Sequence, residues 1–179
     1  MTQTDLNICW GKQADRADDQ LNATYKRVRV GLQALGIDPD VLVSPEVAWI
    51  AARDATCNFE ASLVEGGSMQ PMVGAMCVDR MSRAQTAWLS DLLDVLKAEG
   101  VIETAKPASG ESVERLDHFL AQMKERLTPS QTAQLEKAQS AWTAYRAKAC
   151  KVSGYDCMTN LTNARVDELK GGWVGETFW

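Results

Sequence analysis

The chain has 179 residues, of which 45% are hydrophobic, and it carries a formal net charge of −5. A chain of this length can bury a real core, either as one domain of ordinary size or as two small ones. The acidic balance disfavours nucleic acid and anionic membranes as partners and suits a basic protein partner. No apolar run approaches the roughly 18 residues that a membrane-spanning helix needs, so we expect no transmembrane segment.

Helical signals dominate the chain, and the alternation typical of strands is weak throughout. Thr128 followed by Pro129 and Gln131 is typical of a helix start with a capping box. Ser44 followed by Pro45 predicts a second start, with Ser44 as the N-cap. The breaks between the periodic segments all contain glycine or proline. We predict helices over residues 3–35, 45–64, 70–99, 111–127, 129–151 and 156–170.

One ten-residue pattern occurs twice, as "AWIAARDATC" at 48–57 and as "AWTAYRAKAC" at 141–150. At about 100° per residue, the tryptophan of each copy faces inward and the arginine lies at the edge of that buried face. An arginine at such an edge needs an acceptor, because an unpaired buried charge is costly. It can also lie over the tryptophan ring one turn earlier. The pattern therefore predicts structural roles for Trp49, Arg53, Trp142 and Arg146.

The first predicted helix offers a partner for the first of these arginines. Asp18 is the candidate acceptor for Arg53, and Asn22 follows one turn later on the same helix. A cluster of Asp, Arg and Asn lacks a nucleophile–base pair, so it indicates helix–helix pinning rather than a catalytic site.

Motifs that would indicate an enzyme are missing from the sequence. His118 is the only histidine, and it lies beside Asp117 in an ordinary amphipathic segment. No Ser-His-Asp set, zinc-binding helix or phosphate-binding glycine loop occurs. We therefore expect no enzymatic activity, no metal and no cofactor.

Five cysteines indicate disulfides and export. With one histidine and no Cys-x-x-Cys they make a poor zinc set, and disulfides are typical of exported proteins. Each repeat ends in a cysteine that is followed by a break and a second cysteine, which predicts the pairs Cys57–Cys77 and Cys150–Cys157. Cys9 is left over. It is a free thiol, it pairs with a cysteine of another molecule, or its partner lay upstream of residue 1 and has been lost. No signal peptide is present, so the chain is either cytoplasmic or a mature form that begins at an added Met1. The cysteines favour the second alternative, and we expect a periplasmic or secreted protein.

The polar joint near residue 100 predicts two related helical units, 1–100 and 101–179, of which the second is a degenerate copy. The last nine residues, "GGWVGETFW" at 171–179, are aromatic and broken by glycine. We expect Trp173 or Trp179 to pack into a surface groove, and the alternative is a partner-binding peptide. The predicted fold class is all-α, a disulfide-stapled helical bundle.

Four stretches of the first half resemble one protein family. They are "ADDQLNATY", "AWIAARDATC", "EGGSMQPM" and "CVDRMSRAQ", at 17–25, 48–57, 65–72 and 77–85. Together they resemble the LprI-like lysozyme-inhibitor domain, a cysteine-containing helical module of exported bacterial proteins. The second half resembles the module only in part. Residue 147 is alanine where the family has aspartate, and the Gly-Gly-Ser loop is missing from this half.

The resemblance implies an exported binding protein that blocks the active-site cleft of a peptidoglycan-degrading enzyme. Such a protein is either a lysozyme inhibitor or an immunity protein against a delivered cell-wall hydrolase. The alternative is a structural envelope scaffold with no inhibitory activity. The oligomeric state stays open.

The Gly-Gly-Ser loop is the predicted partner-binding site. Its glycines permit positive φ, and methionine in a loop suits adaptable protein contacts. The residues expected to contact the partner are Gly66, Gly67, Ser68, Met69, Gln70, Pro71 and Met72. The alternative is that the loop folds down beneath the Cys57–Cys77 disulfide and its methionines fill the core.

Overall fold

The computed structural model describes residues 1–99, 105–154 and 156–172. Six α-helices and one short 3-10 helix run through these residues, and no strand lies among them. The fold class is therefore all-α, as predicted. The helices are α1 (Gln3–Ala34), α2 (Val43–Ser62), α3 (Gln70–Glu99), α4 (Gly110–Lys124), α5 (Pro129–Ala149) and α6 (Cys157–Gly171), and the 3-10 helix (Pro39–Leu42) precedes α2.

All six predicted helices are present, and their ends differ from the prediction by less than one turn. The capping box of α5 forms as expected, since Thr128 and Gln131 each accept a hydrogen bond from the backbone of the other. The predicted N-cap of α2 is wrong. The 3-10 helix runs directly into α2, which begins at Val43, and Leu42 takes the N-cap position without a side-chain hydrogen bond.

The contact between α2 and α5 joins the two halves of the chain. In the first half, α1 and α2 both pack on α3, and in the second half α4 and α5 both pack on α6. One hydrophobic core runs through both halves, with fully buried side chains such as Phe59, Leu89, Leu135 and Val166. The division into two units at residue 100 stays a prediction.

Both expected disulfides are present and buried. The Cys57–Cys77 bond ties the last turns of α2 to α3, and the Cys150–Cys157 bond ties the end of α5 to the start of α6. Cys9 is a free thiol on the exposed face of α1. Each disulfide thus fixes the C-terminal part of one helix against the next helix along the chain.

Removing the disulfides one at a time should destabilise the protein unequally. The bonded cysteines are 20 residues apart in the first disulfide and 7 apart in the second. From loop closure alone, Cys57→Ala/Cys77→Ala should lower the free energy of unfolding by about 3 kcal/mol, and Cys150→Ala/Cys157→Ala by about 2 kcal/mol. Urea unfolding of the two variants measures both losses. A larger loss for the shorter loop would contradict loop closure as the main source of stability.

Candidate partner-binding site

Arg53 lies where α2 meets α1 and binds two carboxylates. Its Nη1 donates to Asp18 at 2.9 Å, and its Nη2 lies 2.8 Å from Asp54. Asn22 donates to the other oxygen of Asp18 at 3.0 Å. The guanidinium also lies 5.1 Å from the centre of the Trp49 ring. The structure therefore brings together the residues that the sequence suggested, and they tie α1 to α2.

The carboxylates of this cluster face the solvent, although the guanidinium is covered. The Arg53 side chain is 15% exposed, whereas those of Asp18 and Asp54 are 43% and 54% exposed. Because two carboxylates share one guanidinium, the cluster has an excess of negative charge. Nearby, burial raises the pKa of Glu46, while a hydrogen bond from Gln85 and the charge of Arg53 oppose that rise.

The second copy of the repeat keeps the stacked pair but not the carboxylates. The Arg146 guanidinium lies 4.8 Å from the centre of the Trp142 ring, and its Nη1 donates to the Thr162 hydroxyl at 2.6 Å. Ala147 occupies the position that matches Asp54. The exposed negative cluster is therefore a property of the first copy alone.

Arg165 on α6 is fully buried and links the second half to the first. It donates to the Thr56 hydroxyl on α2 at 3.1 Å and to Gln139 on α5 at 3.3 Å, and it forms an ion pair with Glu168. Its guanidinium also lies 5.6 Å from the centre of the Trp142 ring. We assigned this residue no role from the sequence, because its acceptor on α2 is 109 positions away.

Gln85 makes the corresponding connection from the first half. It takes the same place after Cys77 as Arg165 takes after Cys157. The Tyr145 hydroxyl on α5 donates to Gln85 at 3.0 Å, and Gln85 donates to Glu46 at 2.9 Å. Burial is the main cause that raises the pKa of Tyr145 well above its usual value, so the hydroxyl stays protonated and acts as a donor. Gln85 of the first half thus bonds to α5, and Arg165 at the matching position of the second half bonds to α2.

Arg165→Ala should be far more destabilising than a surface arginine substitution. Truncation removes a fully buried side chain that bonds to α2, to α5 and to Glu168 on its own helix, so we expect a loss of about 3 kcal/mol in the free energy of unfolding. Arg115→Ala is the matched control, because Arg115 pairs with Asp167 at 3.2 Å with both side chains exposed. That loss should be below about 1 kcal/mol. Equal midpoints in urea unfolding would show that the buried arginine does not hold the halves together.

An apolar cleft of about 400 Å³ lies between α3 and α6, and residues of both halves line it. Trp49, Trp88, Trp142 and Tyr145 line it. The charged side chains at its edge already have partners, since Arg165 pairs with Glu168 and Arg80 pairs with Glu60. These two ion pairs are complete within the protein, so neither arginine needs a charged ligand in the cleft.

The predicted contact loop projects from the end of α2 and is held to α1. Gly66, Gly67 and Ser68 are exposed, and Gly66 has φ of 76°, a conformation that favours glycine. Asn7 on α1 donates to the Ser68 carbonyl at 3.1 Å, and the Gly66 amide donates to Gln70 at 3.2 Å. These bonds give the exposed segment a defined shape.

Of the rest of the predicted contact segment, Met69 lies in the turn before α3, and residues 70–72 form the start of α3. Met72 is only 8% exposed, so it takes the alternative role of a core methionine. Met69 and Gln70 are half-buried, and Pro71 is exposed. The exposed part of the predicted contact segment therefore consists of its two glycines, Ser68 and Pro71.

Within the described ranges, the structure offers no group of three or more His, Cys, Asp or Glu side chains suited to a metal ion. His118 is exposed on α4. None of the helices in those ranges is long and apolar enough to cross a membrane. The expectations for Trp173 and Trp179 fall outside the described residues.

The family model of the lysozyme inhibitor LprI matches residues 1–89 and 98–169. The chain belongs to this family. Membership implies lysozyme inhibition in general, and it fits the expectation that the protein is an inhibitor rather than an enzyme. Because both halves match, the LprI pattern extends through the degenerate second copy.

Two further proteins are similar to this LprI-family chain. An uncharacterised protein of Rhizobium meliloti (strain 1021) is 36% identical over 105 residues, which span 52% of this chain and 76% of that protein. The crystal structure of an uncharacterised protein from Burkholderia thailandensis covers 97% of this chain and 88% of its own, with a TM-score of 0.70 and 17% identity. The second likeness shows that the fold is shared.

Proposed function

We propose that this LprI-family protein is exported to the periplasm or secreted, binds a peptidoglycan-degrading enzyme and blocks its active-site cleft. The observation that carries the proposal is the match of the lysozyme inhibitor LprI to both halves of the chain. The net charge of −5 supports a basic hydrolase as the target, since opposite charge speeds association. A lysozyme or a delivered cell-wall hydrolase would satisfy this chemistry, so the role is that of an inhibitor or of an immunity protein.

The loop at Gly66, Gly67 and Ser68 is the segment that we propose enters the target's cleft. It is exposed, and it is anchored by Asn7 and by the nearby Cys57–Cys77 disulfide. A segment that is already ordered loses little conformational entropy on binding. Inhibition then needs only steric exclusion of the substrate and no chemistry from the inhibitor.

A panel of lysozymes, amidases and lytic transglycosylases tests the function directly. At a 1:1 ratio, the protein should abolish the activity of at least one hydrolase and form a complex with it. If no hydrolase of the panel forms a complex with the protein, the inhibitor proposal is overturned and a structural envelope scaffold is favoured.

Ser68→Arg tests the loop in the same assay. A bulky cation at the tip should weaken inhibition at least about tenfold if the loop enters the cleft of a basic enzyme. Thr143→Arg is the matched control, because it adds the same side chain at an exposed position of α5. Equal inhibition by both variants would exclude the loop while leaving the function intact.

Counting free thiols under denaturing conditions tests export. A protein matured in an oxidising compartment should show one reactive thiol, Cys9, because the other four cysteines are paired. Protein purified from the native host's envelope is the sample that decides. Five reactive thiols would contradict the disulfides and the proposed location.

A further inference from the structure

The outer face of α2 has an apolar stripe that the fold does not bury. Val43, Val47 and Ile50 are 43%, 61% and 41% exposed, and their spacing places them on one side of the helix over two turns. Single exposed apolar side chains are ordinary on a protein surface, whereas neighbouring ones that share a face are typical of contact sites.

Carboxylates lie beside the stripe. Asp54 continues its line one turn further along α2, and Arg53 connects Asp54 to Asp18 on α1. In the 3-10 helix before α2, Asp40 is 71% exposed and pairs with Arg29. An apolar centre with a negative edge is the surface that a basic partner complements.

The second copy of the repeat shows that the stripe is not a requirement of the fold. α5 repeats the buried tryptophan and the stacked arginine of α2. At the positions that match the stripe and Asp54, however, it has the exposed residues Glu136, Ser140, Thr143 and Ala147. Helix formation and core packing are thus achieved without exposed valine or isoleucine. The stripe of α2 therefore needs an explanation outside folding.

We propose that Val43, Val47 and Ile50, with the Asp18–Asp54 edge, form the docking surface for a basic peptidoglycan hydrolase. This inference rests on the proposed function and names where the partner is held. The valines and the isoleucine supply apolar area, and the carboxylates accept hydrogen bonds from lysine or arginine side chains of the enzyme.

Contacts within the protein fix the position of α2 on two sides, which suits a docking role. Arg53 ties the helix to α1, and α5 packs against its inner face. Little ordering is therefore needed when the partner binds. The loop at Ser68 blocks the cleft, and the α2 surface contributes affinity.

Exchanging the residues of the two copies tests the docking surface. Val47→Ser/Ile50→Thr places the α5 side chains on α2, and Ser140→Val/Thr143→Ile is the reverse exchange on α5. Against the hydrolase that the unmodified protein inhibits most strongly, the α2 variant should bind at least about tenfold more weakly. The α5 variant should bind within about twofold, because no docking role is assigned to that helix.

A second variant and a salt series make the result unambiguous. Val47→Arg/Ile50→Arg should weaken binding about a hundredfold, since it adds repulsion to the loss of apolar contact. Asp54→Asn should make binding less sensitive to added salt, as expected when a rim carboxylate contributes to association. Unchanged urea midpoints would show that the variants remain folded, because the substituted side chains are exposed.

Three outcomes separate the two proposals. Weaker binding by both α2 variants, with normal binding by the α5 variant, supports the docking surface. Normal binding by the α2 variants overturns the surface and leaves the inhibitor function standing. Failure of the unmodified protein to bind any hydrolase overturns both.

Discussion

The packing of α2 against α5 is the contact on which the rest of the molecule depends. Each half alone is a small set of helices with one open apolar face, and units of that size bury too little surface for much stability. The α2–α5 contact lets one core run through both halves. The outer face of α2, which we propose as a docking surface, is supported from behind by this contact, whereas the Ser68 loop is held by Asn7 and by the Cys57–Cys77 disulfide.

Stacked Trp–Arg pairs solve a recurring problem in this core. An arginine at the edge of a buried face needs partners for a charge and for several donors. In the first half, Arg53 finds them in carboxylates that stay in contact with solvent. In the second half, Arg146 finds a hydroxyl, and fully buried Arg165 uses an amide, a hydroxyl and Glu168. The motif therefore yields a charged surface in the first half and a hydrogen bond to a neutral hydroxyl in the second, where Arg165, outside the motif, supplies the buried link to the first half.

Local signals explain what could be predicted from the sequence. Caps, glycine breaks and the Trp-x-x-x-Arg spacing act within one or two turns, so they predict the helices and the stacked pairs. The disulfide pairs follow from the order of cysteine, break and cysteine at the end of each repeat. The start of α2 was missed because a 3-10 helix, which has little sequence signature, replaced the expected cap. The role of Arg165 was missed because Thr56 lies on another helix of the other half. Whether Met72 pointed inward or outward could not be decided without the packing of α1 on α3.

The crossing bonds of Gln85 and Arg165 make the two halves complementary rather than interchangeable. In the aligned repeats, Tyr145 corresponds to Ala52 and Thr56 corresponds to Ala149. Two first halves placed in the same geometry would leave each Gln85 facing an alanine, and two second halves would bury each Arg165 without its hydroxyl acceptor. Mispairing between identical halves of neighbouring chains is therefore penalised, and the correct intramolecular pairing is favoured as the chain folds.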